Sequence, residues 1–314
     1  MAAPVLEHLE HFFTRIWQQR GFFACLLWPV SLVYRVLVAM RRFGFARGWL
    51  KSTRLSVPVV VVGNIFVGGT GKTPLVVWLV QALQEAGWHP GVVSRGHGGQ
   101  DRHASLKPMP VLPTSNPEQV GDEPLLIAQR CGCPVMVGRQ RVAVGQALLA
   151  AHPEVNILVS DDGLQHYALQ RHVEIMLFDQ RGIGNGWLLP AGPLRESGAR
   201  GADFVVLNIA ASNSATNVVS VPGLAMPKSA ARFTMRLQGD QAVNLADPAR
   251  RAILTSFAGR GVAAAGIGHP ERFFAMLRNA GLQFEAMPLP DHYAFSANPF
   301  AQVKACANGL AEKA

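Results

Sequence analysis

The sequence predicts an α/β fold, a mostly parallel sheet with helices on both faces, preceded by a membrane-associated helical segment. Three observations carry this reading. From Val57 onward short apolar runs alternate with stretches of helical periodicity; residues 57–74 join a strand to a helix through a glycine-rich turn; and residues 210–228 turn to Ser, Asn and Pro before the pattern resumes. Such alternation sets strands side by side in parallel, with the ligand crevice at their carboxyl ends.

Strands are expected at 57–62, 91–94, 134–137, 155–160, 173–178 and 203–207, and helices at 73–87, 122–130, 139–151 and 195–200. Residues 96–120, with Gly98-Gly99 and four prolines, read as a long loop. A loop of that length in a compact domain is more often functional than idle. Beyond the break, 231–237 reads as a strand and 270–280 as a helix.

At 314 residues, 49% hydrophobic and 16% charged, the chain carries more apolar surface than a core needs. The net charge of +9 is concentrated in residues 1–54, where eight basic side chains face only Glu7 and Glu10, a surplus of +6. A nucleic-acid groove would spread such residues along a reading surface. Here they flank an apolar stretch, 21–40, interrupted by Pro29 and Arg35 and accompanied by Trp17, Phe22, Phe23, Trp28 and Tyr34. The stretch has about the 20 residues of a bilayer span. Arg41-Arg42 follow it where a secretory signal would place small residues for cleavage. The favoured reading is a helix lying in a membrane surface, each basic residue adding about 1 kcal/mol at anionic headgroups. A buried helix pair and a true span stay open. Cys25, Cys131, Cys133 and Cys306 show no disulfide or zinc spacing and read as free thiols of a reducing cytoplasm.

The turn in VPVVVVGNIFVGGTGKTP is a phosphate cradle: backbone N–H groups at Gly68, Gly69, Thr70 and Gly71 face an anion at a helix N-terminus. Lys72 would reach the outer phosphates of a nucleoside triphosphate and the Thr73 hydroxyl a magnesium ion. Phe66 stands where the general G-x-x-x-x-G-K-[ST] pattern has its first glycine. The strand in VNILVSDDG delivers Asp161 and Asp162 to the same edge, where such folds keep the carboxylate associated with Mg²⁺. Gln165 and His166 follow, and with Asn64 they form a substrate-facing polar group.

Asp122 and Glu123 open a helix after the long loop. They are either ordinary acidic residues at a helix start or, for Asp122, an acceptor for the proton of a substrate hydroxyl. Residues 179–196 form a shaped loop closing on Arg195-Glu196, a pair suited to sugar or phosphate. In Pro290-Asp291-His292-Tyr293 the adjacent Asp raises His292 above an ordinary structural histidine.

Together VVVVGNIFVGGTGKTP, VSRGHGG, VGDEP, VSDDGLQHYAL, GNGWLLPAGPLRE and PDHYAF resemble the tetraacyldisaccharide 4′-kinases of lipid A biosynthesis, in order and over most of the chain. The resemblance implies a phosphate-loop nucleotide-binding core at 55–215, a smaller C-terminal α/β subdomain at 216–314, and membrane-associated helices at 1–54. It implies transfer of the γ-phosphoryl of ATP, with Mg²⁺, to the 4′-hydroxyl of an acylated glucosamine disaccharide 1-phosphate. The place would be the cytoplasmic face of a Gram-negative inner membrane. The family's catalytic aspartate and histidine fall on Asp122 and His292, with His269 a weaker match. Its loop lysine and metal ligand fall on Lys72 and Thr73, its metal-associated pair on Asp161 and Asp162, and its crevice residues on Arg195 and Glu196.

The main rival is a deviant-loop ATPase that switches membrane association. Val67 stands where that group has its signature lysine, and LLPAGPLRE has no place in it. Asn208-Ile209-Ala210-Ala211 is not the N-K-x-D that would select guanine. Nothing in the sequence points to a nucleic-acid or protein partner.

Overall fold

The computed structural model describes residues 16–96, 107–209 and 230–237, most of 239–290, and Tyr293. The chain divides into two compact units, the break falling between Arg236 and Leu237.

The larger unit is built on an eight-stranded sheet. In chain order its strands are β1 (Val59–Gly63), β2 (Pro90–Ser94), β3 (Met109–Val111), β4 (Val135–Val137), β5 (Ile157–Asp161), β6 (Val173–Asp179), β7 (Phe204–Ile209) and β8 (Ala231–Arg236). The spatial order is β3-β4-β2-β5-β1-β6-β7-β8. Every pairing is parallel except β3 with β4. From β1 the chain goes to one side to build β2 and to the other to build β6, so strand order reverses beside β1. Such a switch point opens a crevice at the carboxyl ends.

The four valines of β1 have both faces covered, which is why they form an unbroken apolar run. Val59 and Val61 point into one core layer with Leu158, Phe178 and Leu194. Val60 and Val62 point into the other, against α2 (Lys72–Glu85), through Leu75, Val76 and Val80, and α4 (Asp122–Cys131), through Ile127. The first layer is closed by α5 (Arg141–Ala151), through Val144 and Leu148. The expected strands at 57–62, 91–94, 134–137, 155–160, 173–178 and 203–207 match β1, β2, β4, β5, β6 and β7 with shifts of one or two residues at their ends. The long loop proves to contain β3 and a single helical turn, α3 (Pro117–Val120), whose Asn116 caps the amide of Glu118. The expected helix at 195–200 does not form. Its backbone is used elsewhere: Arg195 N donates to Ile65 O, and a turn at 198–199 swings Arg200 inward.

Ahead of the sheet runs α1 (Phe22–Ala46), 25 residues with Pro29 inside. It is long and apolar enough to cross a membrane, with mean hydropathy 1.9 in its best window, of which 11% is buried. Its sidedness is inverted relative to a core helix. The stripe turned to the protein carries Ala24, Leu27, Ser31, Tyr34 and Val38, at helical three- and four-residue spacing. Phe22, Leu26, Val33, Leu37 and Met40 lie on the outside, more than half exposed.

In the smaller unit β9 (Gln241–Val243) pairs antiparallel with β10 (Arg251–Ile253). There β11 (Arg260–Ala265) and β12 (Gln283–Pro288) pair in parallel across α6 (Pro270–Asn279), with Phe274 buried against Phe284.

Candidate active site

The glycine turn leaves β1 and enters α2 at the carboxyl edge of the sheet. Gly68 and Gly71 have φ of 103° and 93°, a left-handed region that side chains disfavour. At Gly71 a Cβ would also stand 2.6 Å from Asn208 Nδ2, which itself donates to Thr70 O at 3.0 Å. The interior of the loop is laced by Asn64, fully buried, whose amide donates to Thr70 Oγ1 (3.0 Å) and Gly68 O (3.3 Å). Lys72 Nζ donates to Asn64 Oδ1 at 3.4 Å, and Gln165 Nε2 donates to Asn64 O at 3.2 Å. Asn64 and Gln165 are therefore supports of the loop from below.

The two acids at the end of β5 have different surroundings. Asp162, at φ 47°, lies 3.8 Å from Lys72 Nζ and accepts from Arg195 at 3.1 Å. Asp161 is buried; Ser94 Oγ donates to its Oδ2 at 2.9 Å, while its Oδ1 has no protein partner. Burial first, then the charges of Glu123 and Asp162, push the Asp161 carboxyl up to about 6, against Lys72 and the Ser94 hydrogen bond. Arg141, equally buried, donates to Asp161 O and Gly138 O. Burial lowers its pKa to about 10, so it stays charged at neutral pH.

Phe66 explains its own presence. Its backbone bridges Leu194, its ring is buried, and the Arg181 guanidinium stacks over it 4.4 Å from the centroid. Arg181 donates to both oxygens of Asp179 and to Gly69 O at 2.9 Å. A glycine here would leave the loop without that packing.

Asp122 and Glu123 are exposed at the first turn of α4. Gln81 Nε2 donates to Arg130 O, and Gln84 Nε2 to Cys131 O, so the last turns of α2 and α4 lie side by side. The two helices run in the same direction, which brings Asp122 and Lys72 to the same edge of the sheet. Thr73 is buried in the first turn of α2. His166 meets Arg139 O at 2.9 Å, and burial holds its pKa down. Glu196, unlike Arg195, turns inward: it is 1% exposed, accepts from Tyr167 at 2.6 Å and lies 3.4 Å from Arg200. His292 and His269 lie outside the described residues.

Residues 23–313 match the LpxK family of tetraacyldisaccharide-1-P 4′-kinases. The chain belongs to this kinase family. It is 57% identical over 314 residues to the tetraacyldisaccharide 4′-kinase of Janthinobacterium sp. (strain Marseille), spanning 98% of this chain and 86% of that one. It is 54% identical to that of Herminiimonas arsenicoxydans over 97% of this chain and 85% of the other. In three dimensions it is similar to LpxK from Aquifex aeolicus solved in complex with ATP, with a TM-score of 0.67 and 27% identity over 88% and 84% of the two chains. The protein is thus a kinase of lipid A biosynthesis, a phosphotransferase with an alcohol acceptor.

Four side chains of the candidate site escaped the sequence reading: Ser94, Arg141, Arg181 and, in its positive role, Asn208. Ser94 and Asn208 are the polar ends of apolar strands, as Asp161 is, and that shared position is the signal that could have found them.

Proposed function

We propose that this kinase transfers the γ-phosphoryl group of ATP to the 4′-hydroxyl of tetraacyldisaccharide 1-phosphate at the cytoplasmic face of the inner membrane. The observation that carries the reading is the Lys72–Asp162–Arg195 relay beside a glycine cradle at the N-terminus of α2. The cradle amides and Lys72 take the phosphates, with Lys72 exchanging Asn64 and Asp162 for phosphate oxygens as nucleotide enters.

The residues present suit Mg²⁺. Asp161 Oδ1 is a buried acceptor without a partner, and Thr73 offers a hydroxyl close to the cradle. The donors here are two carboxylates and one hydroxyl. That is the expected donor set for an ion that keeps several waters and shares one or two carboxylates with substrate phosphates. Thr73, Asp161 and Asp162 would hold it, and when bound it neutralises charge on the transferring phosphate.

Asp122 is the proposed acceptor of the sugar hydroxyl proton, exposed on the edge that carries Lys72. His292 is its proposed orienting partner. Arg195, Glu123 and His166 are the proposed contacts to the disaccharide, with Asn64 and Gln165 acting through the loop. Glu196, being interior, would act by holding the backbone of Arg195.

The outward apolar face of α1 supports a membrane surface as its occupant, because the proposed substrate carries four acyl chains. Withdrawing such chains from lipid costs about 0.8 kcal/mol per CH₂, so the enzyme has to work where they stay buried. The test is transfer from γ-labelled ATP to tetraacyldisaccharide 1-phosphate in detergent micelles. Labelled lipid supports the reading; label released only as inorganic phosphate, indifferent to lipid, replaces it with the ATPase switch.

A further inference from the structure

Residues 185–195 lie between the phosphate loop and the N-terminal segment, bonded to both. Toward the loop, Val67 N donates to Pro193 O at 2.9 Å, Arg195 N donates to Ile65 O at 2.7 Å, and Phe66 and Leu194 form a bridge. Toward the N-terminus, four side-chain donors land on four carbonyls of the same segment. Trp17 Nε1 donates to Pro190 O (2.9 Å) and Arg20 Nε to Asn185 O (3.0 Å). Ser31 Oγ donates to Leu188 O (2.5 Å) and Tyr34 OH to Arg195 O (3.2 Å). The Trp28 and Trp187 rings also meet, 6.3 Å between centroids.

Local turns pair some of its carbonyls: Gly192 N donates to Leu188 O, where Ser31 is a second donor, and Leu194 N to Trp187 O. The carbonyls of Asn185, Pro190 and Arg195 turn to the N-terminal side, and buried backbone acceptors need partners. The N-terminal region supplies them. An anchor has no use for such an arrangement, since an apolar helix on any tether would hold the enzyme at lipid. On α1 the polar Ser31, almost completely buried, and Tyr34 occupy the stripe facing the protein, where an ordinary amphipathic helix keeps its apolar residues.

We propose that α1 positions the phosphate-transfer site as well as anchoring it, and that Ser31 and Tyr34 are the positioning residues that set Arg195 and the phosphate loop. The path is short. Tyr34 holds the carbonyl of Arg195; the amide of Arg195 holds Ile65; its guanidinium holds Asp162; and Asp162 faces Lys72. The seating of α1 and the grip on nucleotide phosphate are therefore coupled, and such coupling is reciprocal: ATP changes membrane affinity by the same factor as membrane changes ATP affinity. The proposal rests on the lipid-kinase reading above.

The test uses full-length protein carrying Ser31→Ala, Tyr34→Phe and both, beside an outward-face variant, Leu26→Glu with Val33→Glu. Vesicle partition (phosphatidylethanolamine with phosphatidylglycerol), ATP affinity, and kcat and KM on micellar lipid substrate are measured. For the double variant the expected result is vesicle partition and lipid KM within about twofold of wild type. Its kcat falls roughly tenfold and ATP binding weakens, the size expected for two lost hydrogen bonds. The outward-face variant shows its main effect on vesicle partition and lipid KM. Wild-type kcat and ATP affinity in the double variant would overturn the coupling, and so would a kcat loss that merely tracks lost vesicle binding. If the double variant fails to fold, Tyr34→Phe alone, which removes one hydroxyl and keeps the ring, decides by the same split. A wild type that transfers no phosphate to lipid would sink the functional reading instead; ATP affinity with and without vesicles then still tests the coupling.

Discussion

Lys72, the first residue of α2, and Asp162, just past the end of β5, face each other across 3.8 Å, and Asp162 is at the same time held by Arg195. Both partners are mostly buried, with 10% and 16% of the side chain exposed, so the pair is poorly screened. Removing the acid leaves Lys72 and Arg195 in mutual repulsion with a buried positive surplus. Asp162→Asn is therefore expected to tighten ATP binding or leave it unchanged while kcat falls at least tenfold. Equilibrium binding and single-turnover transfer measure the two separately, and normal turnover would exclude Asp162 from the reaction.

Asp122 is exposed at a helix start, so its loss should cost little stability. Asp122→Ala is expected to reduce kcat by about 10²–10⁴-fold, the usual worth of a general base. ATP should bind as before. Turnover equal to wild type would remove Asp122 from the mechanism.

Gly71→Ala tests the phosphate loop itself. The new methyl would meet Asn208 Nδ2 at 2.6 Å, and its backbone would sit at φ 93°. Left-handed backbone alone costs a side chain about 1–2 kcal/mol. The expected outcome is a lowered Tm together with a loss of ATP affinity beyond tenfold. An Asn208→Ala companion, which removes the clash and also the bond to Thr70, should restore little of it. Full recovery would mean that Asn208 is a spacer and no support.

Asp161 makes stability depend on pH. Its carboxyl, lifted to about 6 by burial, binds a proton more tightly in the folded chain than in the unfolded one, where the ordinary value is about 4. Its contribution is thus favourable at low pH, is lost as pH rises from about 4 to about 6, and stays lost above, amounting to something of order 3 kcal/mol. With nucleotide and Mg²⁺ removed, Asp161→Asn should melt at a higher temperature than wild type at pH 8 and at a similar one at pH 4. Parallel melting curves at the two pH values would show that ionisation of this group does not oppose folding.

The apolar character of α1 was legible as sequence: its length, its basic flanks and its aromatic residues are all local facts. Which way it faced was not. Tyr34 reads as one of the aromatic residues that accompany the apolar stretch and Ser31 carries no signal in it, yet both proved to lie on its protein-facing side. Deleting residues 1–45, the direct test of an anchor, would for that reason also strip five hydrogen bonds from the segment beside Arg195, four from side chains and one to the Trp17 carbonyl.

By itself the sequence determined β1, β2 and β4 to β8, the glycine cradle, Lys72 and the Asp161-Asp162 strand end, because each rests on periodicity or on neighbours within a few residues. Tertiary structure decided which polar strand ends meet. The order β2-β5-β1-β6-β7 sets Ser94 against Asp161. Asn208, at the end of β7, reaches the loop at Thr70. It also separated Arg195 from Glu196. One side chain turned to Asp162 and the other to Tyr167 and Arg200 inside. Which side is interior depends on Ile65 holding the backbone at Arg195, a contact across more than a hundred residues of chain. No local pattern encodes it.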